Sequence, residues 1–108
     1  MHTFSLNSLM MTGKQRRALR ALAHSLKPLL QLGKNGLSDQ FLDQLNTALL
    51  QHELIKLKVL ENAPNTPREC AKILEEQPAL EVIQAIGRII ILYRPHPEDP
   101  QVIPPSSD

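Results

Sequence analysis

Apolar residues recur along this chain with two different periods, and each change of period marks a change of element. From Gly13 to about Ser25, Leu19, Leu22, Ala23 and Leu26 keep the i, i+3, i+4, i+7 spacing of a single helical face. Thr12, with Gln15 three residues on, supplies a capping box at the start of this helix. Pro28 disfavours helix at Lys27 and so sets its end. Leu29–Leu32 reads as a short strand, apolar enough to be central. A second helix over 39–51 has Ser38 as N-cap, Leu37 stapled to Leu42, and Phe41, Leu42, Leu45, Ala48 and Leu49 on its core face. Strict alternation then returns over 53–60, with Ile55, Leu57 and Val59 on one side and Lys56 and Lys58 on the other. Thr66, Pro67 and Glu69 give a third helix a cap, a first-position proline and a box-closing acid; Cys70, Ile73 and Leu74 line its inner side and Pro78 ends it. The β-branched runs Val82–Ile86 and Ile89–Tyr93 flank Gly87-Arg88, a two-residue hairpin turn with glycine first.

This order, α-β-α-β-α-β-β, predicts an α/β fold of the two-layer α+β kind. Each strand–helix–strand step requires a parallel, right-handed crossover, and the hairpin adds one antiparallel strand, giving a four-stranded mixed sheet packed by helices. At 108 residues the chain is one domain. Residues 1–11 read as a disordered lead without the basic and apolar regions of a signal peptide. The domain proper is expected over 12–95, followed by a disordered Pro-rich tail over 96–108, since five of the nine prolines fall in 95–108.

Between the first strand and the second helix lies Gly33-Lys34-Asn35-Gly36. The two glycines permit positive φ or close backbone approach. The following helix start offers unpaired N–H groups and a partial positive charge, a setting that suits phosphate. The sequence is neither a Walker loop nor a dinucleotide fingerprint, and a plain strand-to-helix turn is the competing reading. Charge distribution changes the balance. Residues 1–38 hold Lys14, Arg16, Arg17, Arg20, Lys27 and Lys34 and no acid; residues 39–108 hold the other six bases and all eleven acids. Arg17, Arg20 and His24 share one helical flank, with Lys27 in line, so a basic track runs toward the glycine turn. A solvated face normally mixes signs; this one does not. Such asymmetry suits a polyanion. Lys56, Lys58 and the hairpin-tip residue Arg88, expected to be exposed, extend the candidate contact, although a solvated strand face is the simpler account of the two lysines and a solubilising turn residue accounts for Arg88 equally well.

Catalysis lacks its parts. The four histidines stand apart, with no metal-ligand spacing. Cys70, the single cysteine, falls on an apolar helix face, and His52-Glu53 reads as a helix-end dipole partner. No enzyme activity, metal or cofactor is expected. Aromatic residues are few, so base stacking is not the expected source of affinity. The competing class is a protein-interaction module whose basic face meets an acidic protein. A single cysteine and the lack of a long apolar stretch fit a cytoplasmic protein. Ile89–Leu92 is apolar enough to pair with another chain were it at a sheet edge, but a monomer is expected.

Several blocks in register carry a family resemblance: Ala23-His24-x-Leu26-Lys27-Pro28, Leu32-Gly33-Lys34-Asn35-Gly36-Leu37, His52-Glu53-Leu54-Ile55-Lys56-Leu57-Lys58, Ile86-Gly87-Arg88 and Leu92-Tyr93-Arg94-Pro95. Over roughly 12–95 the chain resembles the stand-alone bacterial CRM domain (chloroplast RNA splicing and ribosome maturation) of the YhbY type, with little identity over 62–80. The resemblance implies the fold of the C-terminal domain of translation initiation factor three with an added N-terminal helix. It also implies RNA binding through the basic surface and the Gly33–Gly36 turn, and association with precursors of the large ribosomal subunit, whose ribosomal RNA is the expected partner.

Overall fold

The computed structural model describes residues 11–102 and Pro104; of the expected lead over 1–11, residues 1–10 lie outside the described residues, and Met11 packs against the apolar cluster under the first helix. The elements are α1 (Gly13–Ala23), β1 (Pro28–Leu32), α2 (Asp39–His52), β2 (Leu54–Val59), α3 (Pro67–Leu74), β3 (Glu81–Ile86) and β4 (Ile89–Tyr93). Local chemistry fixes their starts. Thr12 Oγ accepts the Gln15 N–H at 3.1 Å while the Gln15 side chain accepts the Thr12 N–H at 2.9 Å. Thr66 and Glu69 repeat that box on α3, and Ser38 Oγ accepts the Phe41 N–H on α2. Gly87 takes φ 58 in the hairpin turn, as the first position of a glycine-led turn requires.

The sheet order is β1-β2-β4-β3, with β1 parallel to β2 and β4 antiparallel to both its neighbours. β1 is therefore an edge strand and not a central one. The hairpin places β4 against β2, which leaves only one side of β2 for β1. Ile89–Leu92, in turn, lies inside the sheet.

The two faces are covered differently. On one, Ile55, Leu57, Val59, Ile90 and Leu92 pack against Phe41, Leu45, Ala48 and Leu49 of α2 and Cys70, Ala71 and Leu74 of α3. On the other, Leu19 and Ala23 of α1 pack over Leu54, Ile83, Ile91 and Tyr93. Over the described residues the fold is α+β with three helices and a four-stranded mixed sheet, in three layers, because α1 takes the face opposite the other helices. With only Leu19 and Ala23 of its residues buried, α1 leaves Leu22 and Leu26 exposed, contrary to the expected stripe; Ile73 on α3 is likewise outside.

Past Pro95 the chain does not yet loosen into the expected tail. Glu53, buried at the C-cap of α2, accepts backbone N–H groups from His96, Gln101 and Val102 at 2.6–2.8 Å. The Tyr93 hydroxyl donates to the Val102 carbonyl at 2.7 Å. Residues 96–102 thus form a strap across the end of the sheet away from the glycine turn. Burial, aided by the Glu53 charge, pushes the Tyr93 hydroxyl up to about 12. Tyr93 is the single tyrosine and there is no tryptophan, so an ultraviolet titration reads this group alone. We expect its midpoint near 12 in the folded protein, against about 10 for free tyrosine. The raised value means that stability is intact below about pH 10 and falls as pH rises toward the folded value.

Candidate nucleic-acid interface

The glycine turn sits where β1 ends. The Gly36 N–H donates to the Gly33 carbonyl at 3.0 Å, leaving Lys34 and Asn35 exposed at the tip. Only one of the two glycines is demanded by the backbone. Gly36 has φ 64, and a Cβ there would lie 2.7 Å from Pro64 Cγ. Gly33 has no positive φ, and a Cβ on it would meet its nearest neighbours at 3.8 Å. Gly36→Ala is therefore expected to cost about 2–3 kcal/mol, from left-handed strain plus a clash with a stiff ring. Gly33→Ala should cost less than about 1 kcal/mol. Urea unfolding of the two variants checks the difference.

The helix start behind the turn is less bare than its sequence suggests. Ser38 already occupies the Phe41 N–H, and the Asp39 carboxylate stands in the first turn of α2, where it answers the helix dipole itself. What the turn offers an anion is the exposed Lys34 ammonium and the tip amides.

The stronger basic feature comes from packing. Because α1 lies on the sheet face that also carries Lys56 and Lys58, the helix bases and the strand lysines occupy one side of the molecule. Their contact is direct: Lys56 Nζ donates to the His24 carbonyl at the end of α1, at 3.4 Å. Lys14, Arg17, Lys27 and Lys58 are exposed and Arg20 is half-buried. The segments α1, β1, β2 and β4 contribute no acid to this face. β3 contributes Glu81, which is buried against Arg16.

Two of the expected contacts are held in the fold instead. Arg16 donates to Glu81 Oε1 at 3.1 Å and to the Val82 carbonyl at 3.0 Å, anchoring α1 to the start of β3. Arg88 is not the free hairpin-tip residue expected. Its guanidinium folds back onto the Val59 and Leu60 carbonyls at 2.6 and 3.0 Å and closes the end of β2. Those carbonyls lie where β2 runs out, so a planar fork two residues into the hairpin finds acceptors more readily than solvent. Cys70 is buried, and burial followed by the Glu69 charge raises its thiol above the usual range; such a thiol makes a poor nucleophile.

Cavities of about 530, 630, 390 and 650 Å³ open along the β1–α2 groove, the β3 edge and the strap; none of these four is lined by a residue of the glycine turn. Among the described residues there is no group of three His, Cys, Asp or Glu side chains placed to hold a metal ion, and no helix is long and apolar enough to cross a membrane.

Residues 11–94 match the family model described as the CRS1/YhbY (CRM) domain. The chain belongs to this family. Its relatives include the "Probable RNA-binding protein YqeI" of Bacillus subtilis, 40% identical over 93 residues that cover 86% of this chain and 97% of that protein. An "RNA-binding protein" of Haemophilus influenzae is 39% identical over 85 residues, covering 79% of this chain and 86% of its own. Among solved structures, the hypothetical protein SAV1595 of Staphylococcus aureus, described as "a putative RNA binding protein", superposes with a TM-score of 0.72 at 40% identity, over 89% of this chain and all of that one. In this CRM domain the contribution that sequence reasoning missed is Glu53, the strap anchor. Burial alone would raise its carboxyl, but the N–H groups of His96, Val102 and Gln101, with the nearby His96 charge, outweigh that and hold it below the usual range.

Proposed function

We propose that this CRM domain binds structured RNA along the face shared by α1 and β2, continued by the Gly33–Gly36 turn, and that its partner is ribosomal RNA in precursors of the large subunit. On this reading it acts in ribosome assembly in the cytoplasm, as a monomer and without catalysis. The observation that carries the reading is the convergence of Arg17, Arg20, Lys27, Lys56 and Lys58 on one sheet face, where the one acid that α1 and the four strands contribute, Glu81, is buried and paired with Arg16. The RNA-binding names of the relatives support the same partner class.

The chemistry is passive. Arg17, Arg20, Lys14, Lys27 and Lys58 supply cations to phosphate oxygens. Lys34 and the tip amides add a second grip at the end of the track, while Asn35 has the donor and acceptor to meet a base edge or a 2′-hydroxyl. Fluorescence anisotropy with a labelled fragment of large-subunit ribosomal RNA tests the reading. Saturable binding at low salt, competed by unlabelled RNA, is the expected result. Failure to bind RNA, together with binding of an acidic protein, would return the face to protein recognition.

A further inference from the structure

The helix α1 covers only part of its sheet face, and the uncovered part is one transverse row. The strand register pairs Gln31 of β1 with Lys58 of β2, Lys58 with Ile89 of β4, and Ile89 with Ile86 of β3. Directly paired residues project from the same face, and Ile89 packs at the margin of the cluster under α1. The row Gln31–Lys58–Ile89–Ile86 therefore stands beside α1 and spans all four strands, about 14 Å at the usual strand spacing. Gln31 and Lys58 are exposed, Ile89 is half-buried, and Ile86 is 63% exposed, the highest value among the exposed large hydrophobic residues. One end of the row runs into the glycine turn, since Gly33 follows Gln31 by two residues. The hairpin tip closes the other end.

We propose that this row is a docking strip for the shallow minor groove of paired RNA. The proposal rests on the RNA reading above and specifies the kind of RNA. Three properties of the strip select that occupant. It is continuous with the basic flank of α1 and with Lys34, and no acid interrupts it, so a phosphate backbone can cross it at either side. None of its four side chains is aromatic, and the aromatic rings among the described residues, Phe41 and Tyr93, are both buried, so the described surface offers no aromatic stacking platform for unpaired bases. Its side chains are those that suit a sugar edge. The Gln31 amide can both donate to and accept from a 2′-hydroxyl, Lys58 reaches phosphate, and Ile86 and Ile89 offer flat aliphatic surface to ribose. An A-form duplex presents ribose, 2′-hydroxyls and phosphates together across its wide minor groove, whereas B-form DNA lacks the hydroxyls and has a narrower groove.

The test compares one sequence as RNA duplex, single-stranded RNA and DNA duplex, against wild type and a Gln31→Ala/Ile86→Ser variant. Both positions are solvent-facing, and thermal unfolding confirms that the variant keeps its fold. Wild type should prefer the RNA duplex to both other ligands. The variant should lose about five- to tenfold in affinity for the RNA duplex alone, with an unchanged salt slope because no charge is removed. Equal binding of RNA and DNA duplexes, a preference for the single strand, or a variant that binds the RNA duplex as wild type does would each overturn the strip while leaving RNA binding by the basic track intact. Failure of wild type to bind any RNA would overturn the underlying reading as well.

Discussion

Reversing three exposed charges together, Arg17→Glu, Lys34→Glu and Lys58→Glu, is expected to weaken RNA binding by about 3–4 kcal/mol, a few hundred-fold or more. Each change removes one candidate phosphate contact and places a carboxylate where a phosphate oxygen would come, so repulsion adds to the lost attraction. The three positions sit on different elements, α1, the glycine turn and β2, and packing alone brings them to one side. A track formed by all three loses its middle and both ends. All three side chains are exposed, so stability should change by no more than about 0.5 kcal/mol per site. The control reverses Arg68, exposed on α3 on the opposite side of the sheet; it should leave affinity within about threefold, because a screened charge on the far face acts weakly. Titration of the same labelled RNA with both variants measures the contrast.

Glu53→Ala is expected to cost about 3 kcal/mol, lowering the melting temperature by some 10–20 °C. Three backbone donors lose a buried charged acceptor, and only part of that loss is offset by the entropy returned to the strap. Glu53 also holds φ 62, a conformation costly to any residue with a Cβ. Glu53→Gly relieves that strain and should be milder than alanine, by about 1 kcal/mol; if the carboxylate did nothing, glycine would stabilise. Acid dependence supplies a second signature. With its folded value depressed, Glu53 contributes its full stabilisation above the unfolded carboxylate range and loses it as pH falls through that range, below about 4.3, toward the folded value. Glu53→Gln should flatten that part of the acid unfolding curve, as chemical denaturation at a series of pH values would show.

What the sequence made legible was chemistry that acts within a few residues. The Thr12–Gln15 and Thr66–Glu69 boxes, the Ser38 cap, the Gly87 turn and the alternation of Ile55, Leu57 and Val59 each place an element without reference to the rest of the chain. What stayed hidden depends on partners distant in sequence. Leu22 and Leu26 have the spacing of a buried stripe, yet α1 turns only Leu19 and Ala23 onto the sheet and leaves the other two in solvent. Lys56 and Lys58 read as a solvated strand face because nothing local says that a basic helix lies across the same side. Arg88 looks free until the end of β2 is seen beside it. The anchoring by Glu53 draws on donors 43 to 49 residues away, among prolines that suggest an unstructured tail. The glycine turn is recognisable, but that Gly36 alone is required follows from its left-handed φ and from Pro64, brought against it by the loop after β2.

The most direct test of the central claim is the salt dependence of RNA affinity, measured for wild type beside an Arg17→Ala/Arg20→Ala/Lys34→Ala variant. For about five phosphate contacts, log K should fall against log salt with a slope of roughly −3.5 on a single strand and, at the duplex value, roughly −4.5. The variant should flatten the slope by about 2 to 3. A flat wild-type slope, or a variant whose slope and affinity match wild type, would contradict an RNA track running from α1 to the glycine turn.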